Sequence, residues 1–114
     1  MTVDDTLAAE RLRVECQVDD LARDLQAVID ASADANADDE HDPEGSTVGF
    51  ERAQVASLLD QARHRLADLD HAGERLRAGT YGLCERCGDP VGDDRLAAHP
   101  TATRCVPCAT MRRM

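Results

Sequence analysis

Cys84-Glu85-Arg86-Cys87-Gly88 and, with 17 residues between Cys87 and Cys105, Cys105-Val106-Pro107-Cys108 decide how this chain can fold. Two CxxC pairs about 15 to 20 residues apart form the four-thiolate zinc pattern. Two residues between sulfurs let both thiolates of a pair reach one ion at about 2.3 Å. Gly88 suits the tight turn such a knuckle makes, and Pro107 stiffens the second knuckle. Cys84, Cys87, Cys105 and Cys108 therefore read as ligands of one structural Zn²⁺, because four thiolates leave no position open for catalysis. Two disulfides or a redox dithiol could use the same residues, but an oxidised framework is disfavoured in a cytosolic chain. His99 is the alternative ligand should one cysteine be displaced, and Cys16 reads as a bystander thiol.

Working outward, the other 100 or so residues must be held without rings. Phe50 and Tyr81 are the only aromatics among 114 residues, so cohesion has to come from aliphatic seams, from a metal, or from both. From Leu7 the stripe Leu7, Arg11, Val14, Val18, Leu21, Leu25, Val28 steps by fours and threes. A second stripe runs Val55, Leu59, Ala62, Leu66, Leu69, Gly73, Leu76. This is the spacing of a coiled-coil seam. Thr2 and Asp5 supply a capping box, and Gly79 stands where a helix stops. After Ile29 the stripe dissolves, and Asp42-Pro43-Glu44-Gly45-Ser46 reads as a turn, with Ser46 or Thr47 capping the second helix. Gly73 breaks the second seam without an evident reason. The expected fold is mainly α: a long antiparallel coiled-coil helical hairpin over 1–78, its acidic tip near 34–47, then a four-cysteine zinc-ribbon-like domain over 79–114 with a short C-terminal helix.

Charge is distributed unevenly. Residues 1–47 carry 14 acids and 3 arginines, residues 48–83 carry five of each, and residues 84–114 carry 4 acids and 5 arginines. The acids peak at the hairpin tip, in Asp34, Asp38, Asp39, Glu40, Asp42 and Glu44. A net charge of −10 argues against direct binding of nucleic acid or anionic membrane. No run approaches the roughly 18 apolar residues of a membrane span, and Met-Thr-Val-Asp-Asp lacks the regions of a secretory signal, so a cytoplasmic protein is expected. Asp34-Ala-Asn36-Ala-Asp38 begins like a calcium loop but has Asp39 where Gly is needed and Gly45 where Glu is needed. With no phosphate loop, no Ser/His/Asp arrangement and no open metal position, the chain is not expected to be an enzyme. His41, His64, His71 and His99 read as surface residues.

Gly79-Thr80-Tyr81-Gly82-Leu83-Cys84-Glu85-Arg86-Cys87-Gly88, followed by Arg95-Leu96 and Pro100-Thr101-Ala102 ahead of Cys105, resembles the DksA/TraR zinc-finger proteins. The resemblance implies a bacterial transcription regulator that binds RNA polymerase rather than DNA. The hairpin would enter the secondary channel, and its tip acids would act near the catalytic magnesium. The candidate tip residues are Asp38, Asp39, Glu40, Asp42 and Glu44. The family's tip pattern D-x-x-D-x-A begins here at Asp42, but Gly45 stands at the second Asp and Thr47 at the Ala, leaving the neighbouring acids to substitute. Basic residues by which the family binds ppGpp are replaced by His99 and Ala109, which argues against a ppGpp partner. A monomer is expected, since the hairpin pairs its own seams. The alternatives are a zinc-ribbon protein–protein adaptor and a Gre-like stimulator of transcript cleavage, which would recruit a second magnesium with tip carboxylates.

Overall fold

The computed structural model describes the backbone of residues 2–38 and 43–111 and the side chains of residues 2–33 and 47–111. Two 36-residue helices, α1 (Val3–Asp38) and α2 (Pro43–Ala78), form the hairpin, and α3 (Asp93–Ala98) and α4 (Val106–Thr110) belong to the cysteine-bearing segment. The fold is mainly α, as the periodicity predicts; among the described residues β pairing amounts to an isolated antiparallel bridge between Leu83 and Pro90. No helix is long and apolar enough to cross a membrane among the described residues.

The turn expected at 42–46 is a correction. α2 already begins at Pro43, so Pro43, Gly45, Ser46 and Thr47 are helical and neither Ser46 nor Thr47 is a cap. Proline at a first helical position has no N–H to lose and a φ already set for the helix. α1 likewise continues nine residues past Ile29, through Ala31, Ala33, Ala35 and Ala37, because alanine's high propensity sustains a helix after its apolar stripe has ended.

The chain forms two compact units, Leu12–Leu66 and Met1–Arg11 with Ala67–Met114, so the divisions fall inside both long helices. In Leu12–Leu66, Val14, Leu59 and Ala62 are buried, and Val18, Leu21, Leu25, Val28, Val55 and Leu66 are half-buried. These are the seam positions named from the sequence.

In the other unit Leu7, Leu69 and Ala72 are buried. The capping box is formed: Asp5 N–H donates to Thr2 Oγ1 at 3.1 Å and Thr2 N–H to Asp5 Oδ2 at 3.3 Å. Arg11, the polar break in the stripe, reaches across to Asp70 at 2.6 Å, which sets the start of α1 beside the end of α2. Both side chains are nearly half exposed, so the pair fixes register more than it stabilises. Gly73 lines a notch of about 170 Å³ beside Leu7 and Leu69, and a Cβ there would meet only Arg77 Nη1, at 3.5 Å. α2 ends at Gly79 (φ 80°), where Thr80 N–H bonds Arg75 O at 2.9 Å and Gly79 N–H bonds Leu76 O at 3.2 Å. These are the paired closing bonds of a helix stopped by a left-handed glycine.

Candidate metal centre

The first knuckle is a tight reversal around Cys84 and Cys87. Cys84 N–H donates to Asp89 O at 2.7 Å, Gly88 N–H to Cys84 O at 2.9 Å, and Val91 N–H to Gly82 O at 2.8 Å. Gly88 has φ 81°, a conformation that a residue with a Cβ rarely adopts, which accounts for the glycine after the second cysteine. The second knuckle is a helix start. Cys105 precedes α4 in extended conformation, Pro107 occupies its first turn where no backbone donor is lost, and Cys108 lies on the helix.

These two pieces bring four sulfurs together: Cys84, Cys87, Cys105 and Cys108 lie within 4.8 Å of one another, with Cys87 Sγ and Cys105 Sγ 3.7 Å apart. Sulfurs bound tetrahedrally at about 2.3 Å stand roughly 3.8 Å apart, so the spacing fits one Zn²⁺. Cys84, Cys105 and Cys108 are buried and Cys87 is exposed.

The electrostatics agree with a bound dication. The Cys87 N–H, with those of Cys105 and Arg86, holds the Cys84 thiol down to about 6 against the opposing effect of burial. The Asp89 N–H acts the same way on Cys87, but the adjoining Cys84 and Cys105 sulfurs and burial outweigh it and raise that thiol. Cys108 is pushed up to about 12, first by Cys105 and then by burial and the remaining sulfurs. Four sulfurs this close repel as thiolates, and a dication removes that repulsion. The protein carries one structural zinc in a closed, all-sulfur site.

Two residues that sequence reasoning missed tie this site to α2. Arg75, with a side chain 12% exposed, donates from Nη2 to Thr80 O (2.9 Å) and Leu83 O, and its Nη1 lies 3.7 Å from Glu85 Oε2. Glu85 Oε1 accepts from Thr103 Oγ1 and Arg104 Nε, both at 3.2 Å, and Glu85 N–H donates to Thr103 O at 2.8 Å. Glu85 thus joins the two knuckles, and Arg75 joins the first to the last turn of α2. A basic residue in a last helical turn was the available signal, but it does not say which carbonyls the side chain will find. Tyr81 adds a further strut, donating to Pro100 O at 2.7 Å, and burial raises its pKa.

Of the other candidates, His99 is exposed and outside the sulfur cluster, and Cys16 is exposed on α1. His64 and His71 lie at the surface as expected. Asp39, Glu40, Asp42 and His41 lie outside the described residues, as do the side chains of Asp38 and Glu44.

Residues 79–111 match the prokaryotic dksA/traR C4-type zinc-finger family. The chain is 41% identical over 56 residues to the RNA polymerase-binding transcription factor DksA of Caulobacter vibrioides, covering 49% of this chain and 39% of that protein. It is 33% identical over 52 residues to the Escherichia coli protein of the same name, covering 46% of this chain and 34% of that one. These matches therefore span well under half the length of either relative. The structure of transcription factor DksA2 from Pseudomonas aeruginosa superimposes with a TM-score of 0.77 at 25% identity, over 94% of this chain and 77% of that one.

Proposed function

We propose, on the premise that this chain belongs to the DksA/TraR zinc-finger family, that it is a bacterial regulator of transcription which acts by binding RNA polymerase and is not an enzyme. The observation that carries the reading is a four-cysteine finger of this family following a helical hairpin, an arrangement that superimposes on DksA2 over nearly the whole chain. Cys84, Cys87, Cys105 and Cys108 are the zinc ligands, and the ion's role is to fold the finger. The hairpin enters the secondary channel, and Asp38, Asp39, Glu40, Asp42 and Glu44 act at the catalytic centre as a diffuse negative charge, since Gly45 and Thr47 replace two members of the family's tip pattern. A chain of net charge −10 suits a protein partner rather than a phosphate backbone. The partner places the protein in the cytoplasm, where it works as a monomer without ppGpp.

Asp42→Asn separates docking from action, because it removes one charge at nearly constant shape. Affinity for core RNA polymerase stays near that of the unmodified protein, while the effect on open-complex lifetime at a responsive promoter falls. Combined neutralisation of Asp38, Asp39 and Glu44 enlarges that loss. Unchanged transcription in both variants, with binding intact, would reduce the tip to a solvated loop and leave simple occupation of the channel. Failure of the unmodified protein to bind core polymerase would favour an adaptor for another protein.

A further inference from the structure

The two knuckles begin alike. The peptide that carries the Cys84 N–H has its carbonyl, Leu83 O, held by Arg75 Nη2. The peptide that carries the Cys105 N–H has its carbonyl, Arg104 O, held by Arg95 Nε at 2.8 Å. Neither arginine belongs to the knuckle it serves: Arg75 lies in the last turn of α2 and Arg95 on α3. Cys84 and Cys105 open their respective CxxC pairs, and both are buried. Glu85 links the two arrangements, since its carboxylate lies 3.7 Å from Arg75 Nη1 on one side and accepts from Arg104 Nε at 3.2 Å on the other.

A peptide plane held by its carbonyl fixes the direction in which the next side chain leaves the backbone. The Leu83–Cys84 peptide is held at both ends, because the Cys84 N–H also donates to Asp89 O at 2.7 Å. Hydrogen bonds outside a metal's ligands orient those ligands and strengthen the site. Here they hold sulfurs that would otherwise repel one another as thiolates. Arg75 suits the task because its planar fork serves Thr80 O and Leu83 O from Nη2 while Nη1 faces Glu85. Arg77, the other basic residue of the same turn, lines the notch beside Gly73 instead.

We infer that Arg75 and Arg95 are positioning residues of the zinc site, each aiming the first cysteine of one pair at the metal, with Glu85 between them. The unit that holds zinc then reaches back into α2 as far as Arg75, beyond the finger of residues 79–111. This goes beyond the polymerase reading and is independent of it.

The test compares Arg75→Lys, Arg95→Lys and, as a control, Arg77→Lys in the zinc-loaded full chain. Each change keeps the charge and nearly the same helix propensity, so the hairpin folds in all three, but it removes the guanidinium. The readouts are the rate of zinc transfer to excess chromogenic chelator and the melting of the far-ultraviolet helix signal. Arg75→Lys and Arg95→Lys are each expected to release zinc about tenfold or more faster, with the hairpin's melting little changed, while Arg77→Lys matches the unmodified protein. A variant at position 75 or 95 that keeps its helix signal but is isolated with less than one zinc per chain supports the proposal equally. Unchanged release from either variant overturns the paired arrangement, and lowered melting with unchanged release leaves Arg75 as a stop for α2 alone. Equal acceleration by Arg77→Lys also overturns it, since the effect would then be a general loosening of the helix end.

Discussion

Among the described residues of 12–33 and 47–66, order comes from aliphatic side chains that meet every three or four residues, with Val14, Leu59 and Ala62 at the driest points. Residues 79–111 bury only Cys84, Val91, Cys105 and Cys108 and otherwise rely on backbone hydrogen bonds and on the contacts of Arg75, Glu85 and Tyr81. Aliphatic burial is spread over many turns, so one lost side chain weakens it by a fraction. Four sulfurs around one ion concentrate stability at a point. The finger should therefore fail all at once and the hairpin by degrees.

The largest effect expected is removal of zinc. Apparent binding energies at such sites are about 10–16 kcal/mol, at or above the whole stability of a small domain. A strong chelator should unfold residues 80–110 and leave most of the far-ultraviolet helix signal, which limited proteolysis followed by mass spectrometry will localise. Equal protease resistance of the finger with and without metal would remove the contrast between the regions.

Leu59→Ala tests the other side. Leu59 is 3% exposed, and truncating a buried leucine costs about 2–5 kcal/mol. Thermal melting of the helix signal should shift down while zinc content stays at one per chain. A simultaneous loss of zinc would show that the regions do not fail separately.

Tyr81 sharpens the comparison, because it is the only tyrosine and the chain has no tryptophan. Burial raises its pKa, so the folded finger favours the protonated phenol. Stability from this group is fully present below pH of about 10, its ordinary value, and is lost as pH rises through the raised folded value. The phenolate absorbance should appear at higher pH with zinc than after chelation. Tyr81→Phe removes the bond to Pro100 O and should cost about 1 kcal/mol in the finger alone.

The smallest effect is a gain. Gly73→Ala puts a Cβ at ordinary contact distance, 3.5 Å, from Arg77 Nη1 and should stabilise α2 by up to about 1 kcal/mol, seen as a small rise in helix melting temperature. A loss would mean that the notch beside Leu7 and Leu69 cannot accept the methyl group.

The sequence by itself determined the features whose causes lie within a few residues of one another. The sulfur spacing named the zinc site, Thr2 with Asp5 and Gly79 marked where the hairpin starts and stops, and steps of three and four named most of the seam. Each follows from short-range geometry: the reach of a knuckle, a cap's bond to the next turn, or the pitch of a helix. Tertiary structure alone decided what depends on which elements meet. Arg11 found Asp70, Ala72 and Val91 became buried, and Arg75 with Glu85 became the link between the last turn of α2 and both knuckles. It also decided that Phe50 and Leu58, apolar enough for a core, stand outside it. Apolarity records what a side chain prefers, whereas burial requires a partner surface, and on that side of α2 the chain provides none among its described residues.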